Sequence, residues 1–203
     1  MRLFTLFLLA TLVASSASAA SHQTYYGTIV DPILDERFSV GPHSYSGANL
    51  EPHAVLSGAD LSYTLLTNAD LSYTHLQFAD LTGAYLFRAN LSYANLHSAT
   101  LTDANLHYGN LTGADLQSAD LSYAALHGVD LDYTNLSNAN LTGANLVATN
   151  ISAAQLQAAE SVTGVRVSGN NLTGFNLTGL DLTDATLANT ILTDATLTNT
   201  TRT

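Results

Sequence analysis

The chain carries an aliphatic residue at every fifth position over most of its length. From Leu56 to Leu156 this position is leucine, except for Ile151, and a second run with the same spacing extends from Val162 to Leu197. Two residues before each aliphatic residue stands a small side chain, usually alanine, and the residue between them is usually Asp or Asn. The repeating unit is therefore A(D/N)Lxx.

A period of five fits neither an α-helix nor a continuous β-strand. Five steps of about 100° carry each leucine about 140° around a helix, and a strand sends alternate leucines to opposite faces. A short extended segment followed by a corner solves both problems, because residues two apart share a face. The pattern predicts Ala and Leu inside, Asp or Asn outside, and a corner made by the remaining two turn-forming residues.

These units resemble the repeats of the pentapeptide-repeat proteins. Matching stretches are Ala59–Tyr63 (ADLSY), Ala89–Tyr93 (ANLSY) and Ala139–Gly143 (ANLTG), and the resemblance covers residues 46–200. It implies an all-β solenoid, specifically a right-handed quadrilateral β-helix with about 20 residues in each coil and about seven coils in total.

The N-terminal residues do not repeat. Residues 1–20 have the features of a secretory signal peptide, with Arg2, a short apolar stretch and a small-x-small cleavage site at Ala17-Ser18-Ala19. Residues 21–45 are predicted to be a non-repeat N-terminal cap, because a solenoid must cover its first coil. A disordered linker is the alternative for this segment.

The repeats divide into two runs. The main run spans residues 46–156, and the C-terminal run spans 165–203 in a register shifted by one residue. A register-shifting bulge or loop is expected at 157–164. The repeat continues through Leu192–Thr200 without an evident cap, which suggests a homodimer formed through the C-terminal coil.

Composition restricts the partners and the compartment. The formal net charge is −11, lysine and cysteine are absent, and the five arginines are scattered. Direct nucleic-acid binding needs a basic footprint, which this chain lacks. No second hydrophobic run follows the signal peptide, so we expect no membrane span after its removal and a periplasmic, cell-surface or extracellular location.

Residues twenty apart are predicted to stack into surface columns, and some of these columns are aromatic. Such rows bind sugar rings or a partner protein, or they simply stabilise the ladder by stacking on one another. The candidate binding surface comprises Tyr73, Tyr93 and Tyr133 in one column, Tyr63 and Tyr123 in another, and Phe78 and Phe87 at outward positions.

We expect no catalytic, cofactor or metal site. The sequence has no Gly-rich phosphate loop, no G-x-S-x-G motif and no cysteine nucleophile. His107 and His127 share a column with Phe87, but no third zinc ligand is evident. The Asp columns lack a calcium-loop signature.

Three functional hypotheses follow. The first is an exported, non-enzymatic, acidic rod that presents repeated faces to a protein or glycan partner. The second comes from the resemblance, since some cytoplasmic pentapeptide-repeat proteins mimic DNA and bind type II topoisomerases; the signal peptide speaks against it. The third is a glycan- or ice-binding solenoid that uses the Tyr columns or the Ser/Thr columns.

Overall fold

A computed structural model of the chain describes residues 52–200. The predicted signal peptide (1–20) and N-terminal cap (21–45) lie outside the described residues. Within 52–200 there is one helix, α1, at Ala153–Ala158. The β-structure of this part consists of isolated parallel bridges, each of which pairs one residue of a coil with one residue of the next coil.

Apart from two bridges at the register shift, the bridges join residues twenty apart, so one coil takes four repeat units. Asp60 pairs with Asp80, and Tyr85 pairs with Asn105. The N–H of Leu61 donates to the carbonyl of Asp80 at 2.7 Å, and the N–H of Asp80 donates back to the carbonyl of Ala59 at 2.9 Å. The predicted stacking of residues at this spacing is confirmed, and each coil is held to the next by backbone hydrogen bonds along all its sides.

The core contains the residues that the pattern places inside. Leucines of the main run such as Leu61 and Leu96 have no exposed surface, and alanines such as Ala84 are buried beside them. In the C-terminal run Val162 and Leu172 are also buried, whereas Leu187 and Leu197 are only partly buried. Burial of these aliphatic side chains is the main stabilising contribution, since about 25 cal/mol is gained per Å² of apolar surface removed from water.

The corner of each unit is a β-turn. The N–H of Ala69 donates to the carbonyl of Leu66 at 3.1 Å, which closes the turn across the two corner residues. The second corner residue has positive φ in every described unit outside α1; for Asn68 it is 57° and for Tyr73 it is 59°. Turns of type II require positive φ at their third residue. The ladder on both sides of the corner holds non-glycine residues in this unfavourable region.

The Asp or Asn of the unit fixes the entry to the corner. Its side-chain oxygen accepts the N–H of the residue two positions later, as in Asp60 with Ser62 at 3.1 Å and Asn110 with Thr112 at 2.8 Å. This N–H has no acceptor in the neighbouring coil, so a short side chain that can accept a hydrogen bond from this N–H is favoured here.

The structure differs from the sequence expectation at the register shift. The shift was expected at 157–164, but α1 begins at Ala153 and replaces the last unit of the main run. The bridge from Asn140 to Ser161 spans 21 residues, so the extra residue is accommodated here. Ser152 caps α1 in a capping box with Gln155, and the helix sequence AAQLQA consists of good helix formers.

Candidate binding surface

The predicted tyrosine row divides into a stack and an isolated side chain. His53, Tyr73 and Tyr93 stack with nearly parallel rings, with centroid distances of 5.0 Å for His53–Tyr73 and 5.1 Å for Tyr73–Tyr93. Gly113 follows in the column, and beyond it the Tyr133 side chain is 90% exposed. Two of the three predicted residues therefore support each other, and Tyr133 stands apart from them.

Four tyrosines lie over a glycine of the following coil. A Cβ atom built on Gly113 would lie 2.6 Å from Cε1 of Tyr93, which shows how closely the ring approaches the backbone. The same arrangement recurs in the pairs Tyr63–Gly83, Tyr108–Gly128 and Tyr123–Gly143. The predicted pair Tyr63 and Tyr123 shares a column, but each ring covers its own glycine, so the two do not form a row.

Phe78 and Phe87 are not brought together. The exposed ring of Phe78 meets His97 edge-on, with a centroid distance of 5.9 Å. The ring of Phe87 instead meets Tyr108 edge-on at 5.9 Å, and Cζ of Arg88 lies 5.2 Å from the centroid of Phe87. Each phenylalanine therefore belongs to a different aromatic cluster of the surface.

The second cluster is the richest in polar and aromatic groups, and we call it the aromatic-basic edge; its residues are Phe87, Arg88, His107, Tyr108 and His127. The His107 and His127 rings lie 5.7 Å apart, and the Tyr108 and His127 rings lie 5.2 Å apart. The sequence interpretation missed Arg88 and Tyr108. The twenty-residue spacing from Arg88 through Tyr108 to Gly128 was the signal that could have found them.

The acidic columns are occupied by internal hydrogen bonds. The amide of Asn90 donates to the Asp70 carboxylate at 3.0 Å, and the amide of Asn150 donates to the Asp130 carboxylate at 2.8 Å. The Asp132 backbone N–H, together with the Asn150 side chain, holds the pKa of Asp130 below its usual value. These carboxylates therefore act as structural acceptors for the ladder.

Residues 52–200 contain no group of three or more His, Cys, Asp or Glu side chains placed to hold a metal ion. No helix in this part of the chain has the length and apolar character needed to cross a bilayer.

Stacked coils built from A(D/N)Lxx units define a class of repeat protein. The family model described as pentapeptide repeats matches this chain in 8 copies, over residues 53–86, 79–117, 119–157 and 163–199. The chain therefore belongs to the pentapeptide repeat family. No curated protein matches it.

Several solved structures are similar. A trypsin-treated variant of QnrB1, a plasmid-mediated fluoroquinolone resistance protein, is 20% identical with a TM-score of 0.52, covering 74% of this chain and 78% of that one. This likeness shows the fold alone.

Two further structures have lower TM-scores. HetL from the cyanobacterium Nostoc sp. strain PCC 7120, involved in heterocyst differentiation regulation, is 29% identical with a TM-score of 0.36, covering 73% of this chain and 85% of that one. A pentapeptide repeat protein from the Arabidopsis thaliana thylakoid lumen is 33% identical with a TM-score of 0.34, covering 53% of this chain and 64% of that one.

Proposed function

We propose that this chain is an exported, non-enzymatic interaction module. It is a rigid acidic rod, wound as a right-handed four-sided helix of about seven coils, that presents repeated side chains to a glycan or protein partner. The observation that carries this proposal is the twenty-residue ladder, because it holds side chains of neighbouring coils in fixed columns at a spacing of about 4.8 Å. A surface of this kind is pre-organised, which reduces the entropy lost when a partner binds.

The polar columns offer less to a partner than their composition suggests. The Ser62 hydroxyl donates to Asp60 at 2.7 Å, and the hydroxyls of Thr142 and Ser161 bond each other at 2.8 Å. Ice binding is therefore disfavoured at these positions of the Ser/Thr columns, since their hydroxyls already have partners. The aromatic corners, in contrast, expose much ring surface, as at Tyr108 and Tyr123.

Cell fractionation tests the exported location. The full chain with a C-terminal tag is expressed in its host, and its mass is measured in each fraction. We expect a species lacking the first 19 or 20 residues in the exported fraction. Leu8→Arg, which interrupts the apolar stretch, is expected to hold the uncleaved chain in the cytoplasm. A cytoplasmic, uncleaved wild-type chain would refute export.

The second candidate is a DNA mimic that acts on a type II topoisomerase. The net charge of −11 and the fold shared with a fluoroquinolone resistance protein favour it. The distribution of charge opposes it, because the segment between Asp80 and Asp103 has no acidic residue and is longer than one coil. A mimic of DNA would carry negative charge along its whole length. A supercoiling assay with purified gyrase decides: we expect no inhibition, and inhibition by the folded chain would reverse the order of the two candidates.

A further inference from the structure

We propose that the aromatic-basic edge binds a carboxylated oligosaccharide, that is, a chain of uronate sugars. This inference rests on the proposed function and names both the partner and the place where it binds. Three properties of the edge support it: its charge, its unpaired donors and its flat rings.

The edge is the basic part of an acidic surface. Arg88 is one of two arginines within residues 52–200, and the other, Arg166, lies in the C-terminal run. Asp80 and Asp103 bound a segment of 22 residues without a carboxylate, and Arg88 lies inside it. Arginine binds carboxylates through paired N–H donors, so an acidic ligand is attracted here and repelled by the Asp columns.

The edge also has backbone donors that most units lack. In a typical unit the Asp or Asn side chain accepts the first corner N–H, as Asn105 does for His107 at 3.2 Å. Tyr85 and Ala125 replace Asp or Asn in the units that lead to Phe87 and His127. As a result, the backbone N–H groups of Phe87 and His127, two donors of the edge, have no acceptor among residues 52–200.

The rings of the edge are fixed platforms. Tyr108 is 53% exposed, yet its ring is held against the backbone of Gly128, where an added Cβ would lie 2.7 Å from Cδ1. Phe87 supports it from the preceding coil through the edge-on contact at 5.9 Å. A rigid amphipathic ring loses little conformational entropy when another ring stacks on it, which suits the apolar face of a sugar.

A carboxylated glycan fits these features better than an acidic peptide does. An extended peptide would bind by adding to an open sheet edge, but the backbone ladder here is already paired between coils. The backbone N–H of Arg88 donates to the carbonyl of His107 at 2.9 Å, and that of Tyr108 donates to the carbonyl of His127 at 2.9 Å. What the edge offers is ring surface flanked by donors, which matches a pyranose ring that carries a carboxylate.

Titration calorimetry with oligogalacturonate tests the proposal. The matched ligands are the methyl ester of the same oligosaccharide, which removes the charge, and an oligoglutamate peptide. We expect the uronate to bind, its ester to bind about tenfold more weakly, and the peptide to bind no more tightly than the uronate does. No uronate binding, equal binding of the ester or tighter binding of the peptide would each overturn the assignment.

Matched variants locate the site. Tyr108→Ala and Arg88→Gln are each expected to weaken uronate binding about tenfold. Tyr123→Ala removes a ring that covers Gly143 in the same manner, and Arg166→Gln removes the other described arginine; both are expected to bind normally. Thermal melts verify that each variant is folded. Equal losses in Tyr108→Ala and Tyr123→Ala would show that the edge is not the site.

The two proposals fail in different ways. An exported, processed chain that ignores uronate would refute the glycan site and leave the interaction module standing. A cytoplasmic, uncleaved chain that binds uronate at Tyr108 would refute export and leave the site standing.

Discussion

At the residue scale, the Asp or Asn position of the repeat has two structural tasks. Its oxygen accepts a corner N–H, and where Asn follows Asp in a column the amide also bonds the carboxylate of the preceding coil, as Asn140 does with Asp120 at 3.1 Å. Two carboxylates about 4.8 Å apart repel by roughly 0.9 kcal/mol in water. Alternation of Asp and Asn therefore replaces repulsion with a hydrogen bond.

Asp130 gives this arrangement a dependence on pH. Its folded pKa is lowered by the Asp132 N–H and the Asn150 amide, so the charged form stabilises the native state above the unfolded value of 3.8. That contribution is lost as the pH falls through the folded pKa. We expect Asp130→Asn to be less stable than wild type at pH 7, with a difference that shrinks below pH 3.8 in urea unfolding. A difference that is constant with pH would contradict this.

The tyrosine-over-glycine contact makes a second prediction at this scale. Gly113 and Gly174 both have positive φ, 67° and 71°, so alanine at either is strained by about 1 kcal/mol. Only at Gly113 does the new Cβ meet a ring, that of Tyr93, whereas nothing lies within 4 Å at Gly174. Gly113→Ala should lower the free energy of unfolding more than Gly174→Ala does. In a Tyr93→Ala background the two should cost the same, and a persisting difference would refute the contact's role.

At the scale of elements, α1 is the one interruption of the ladder within the described residues, and side chains restore the bonds that it removes. Oδ1 of Asn150 accepts the N–H of Leu131 at 2.7 Å, replacing a backbone carbonyl. Nε2 of Gln155 donates to the carbonyls of Leu131 at 2.7 Å and Thr134 at 3.0 Å. The helix is thus joined to the preceding coil by two amide side chains.

Two glutamines of α1 test this joint. Gln155→Ala removes two bonds to backbone carbonyls and half of the capping box, so we expect a loss of about 2 kcal/mol in the free energy of unfolding. Gln157→Ala, an exposed position on the same helix, should change it by less than about 0.5 kcal/mol. Urea unfolding measures both, and equal effects would show that the joint is unimportant.

At the scale of the whole molecule, the ladder makes each coil a neighbour of two others only. Stability then adds along the stack, and the coils are interchangeable as long as their register is kept. The aromatic clusters follow the same rule, since every ring contact described joins residues about one coil apart or adjacent in sequence.

Deletion of one coil tests this additivity. Removal of residues 89–108 takes out twenty residues and joins Arg88 to Gly109 in the correct phase. We therefore expect cooperative unfolding, with a smaller dependence of the unfolding free energy on denaturant, because a shorter stack exposes less surface when it unfolds. Removal of 89–107 leaves one extra corner residue without the capping groups that α1 has. It should be less stable than the twenty-residue deletion by about 2 kcal/mol or more. Equal stabilities would contradict a strict register.

The sequence by itself determined the period, the inward Ala and Leu, and the outward Asp and Asn, because each follows from local geometry and the exclusion of apolar groups from water. The stacking interval of twenty residues was implied by the family resemblance, and the bridges between coils show it. The tertiary structure decided which rings meet. Tyr73 stacks on a tyrosine, whereas Tyr93 covers a glycine, because the residue one coil further along differs. It also decided the start of α1, since Leu156 is buried in a helix as well as it would be in a repeat, and the capping box at Ser152 favours the helix.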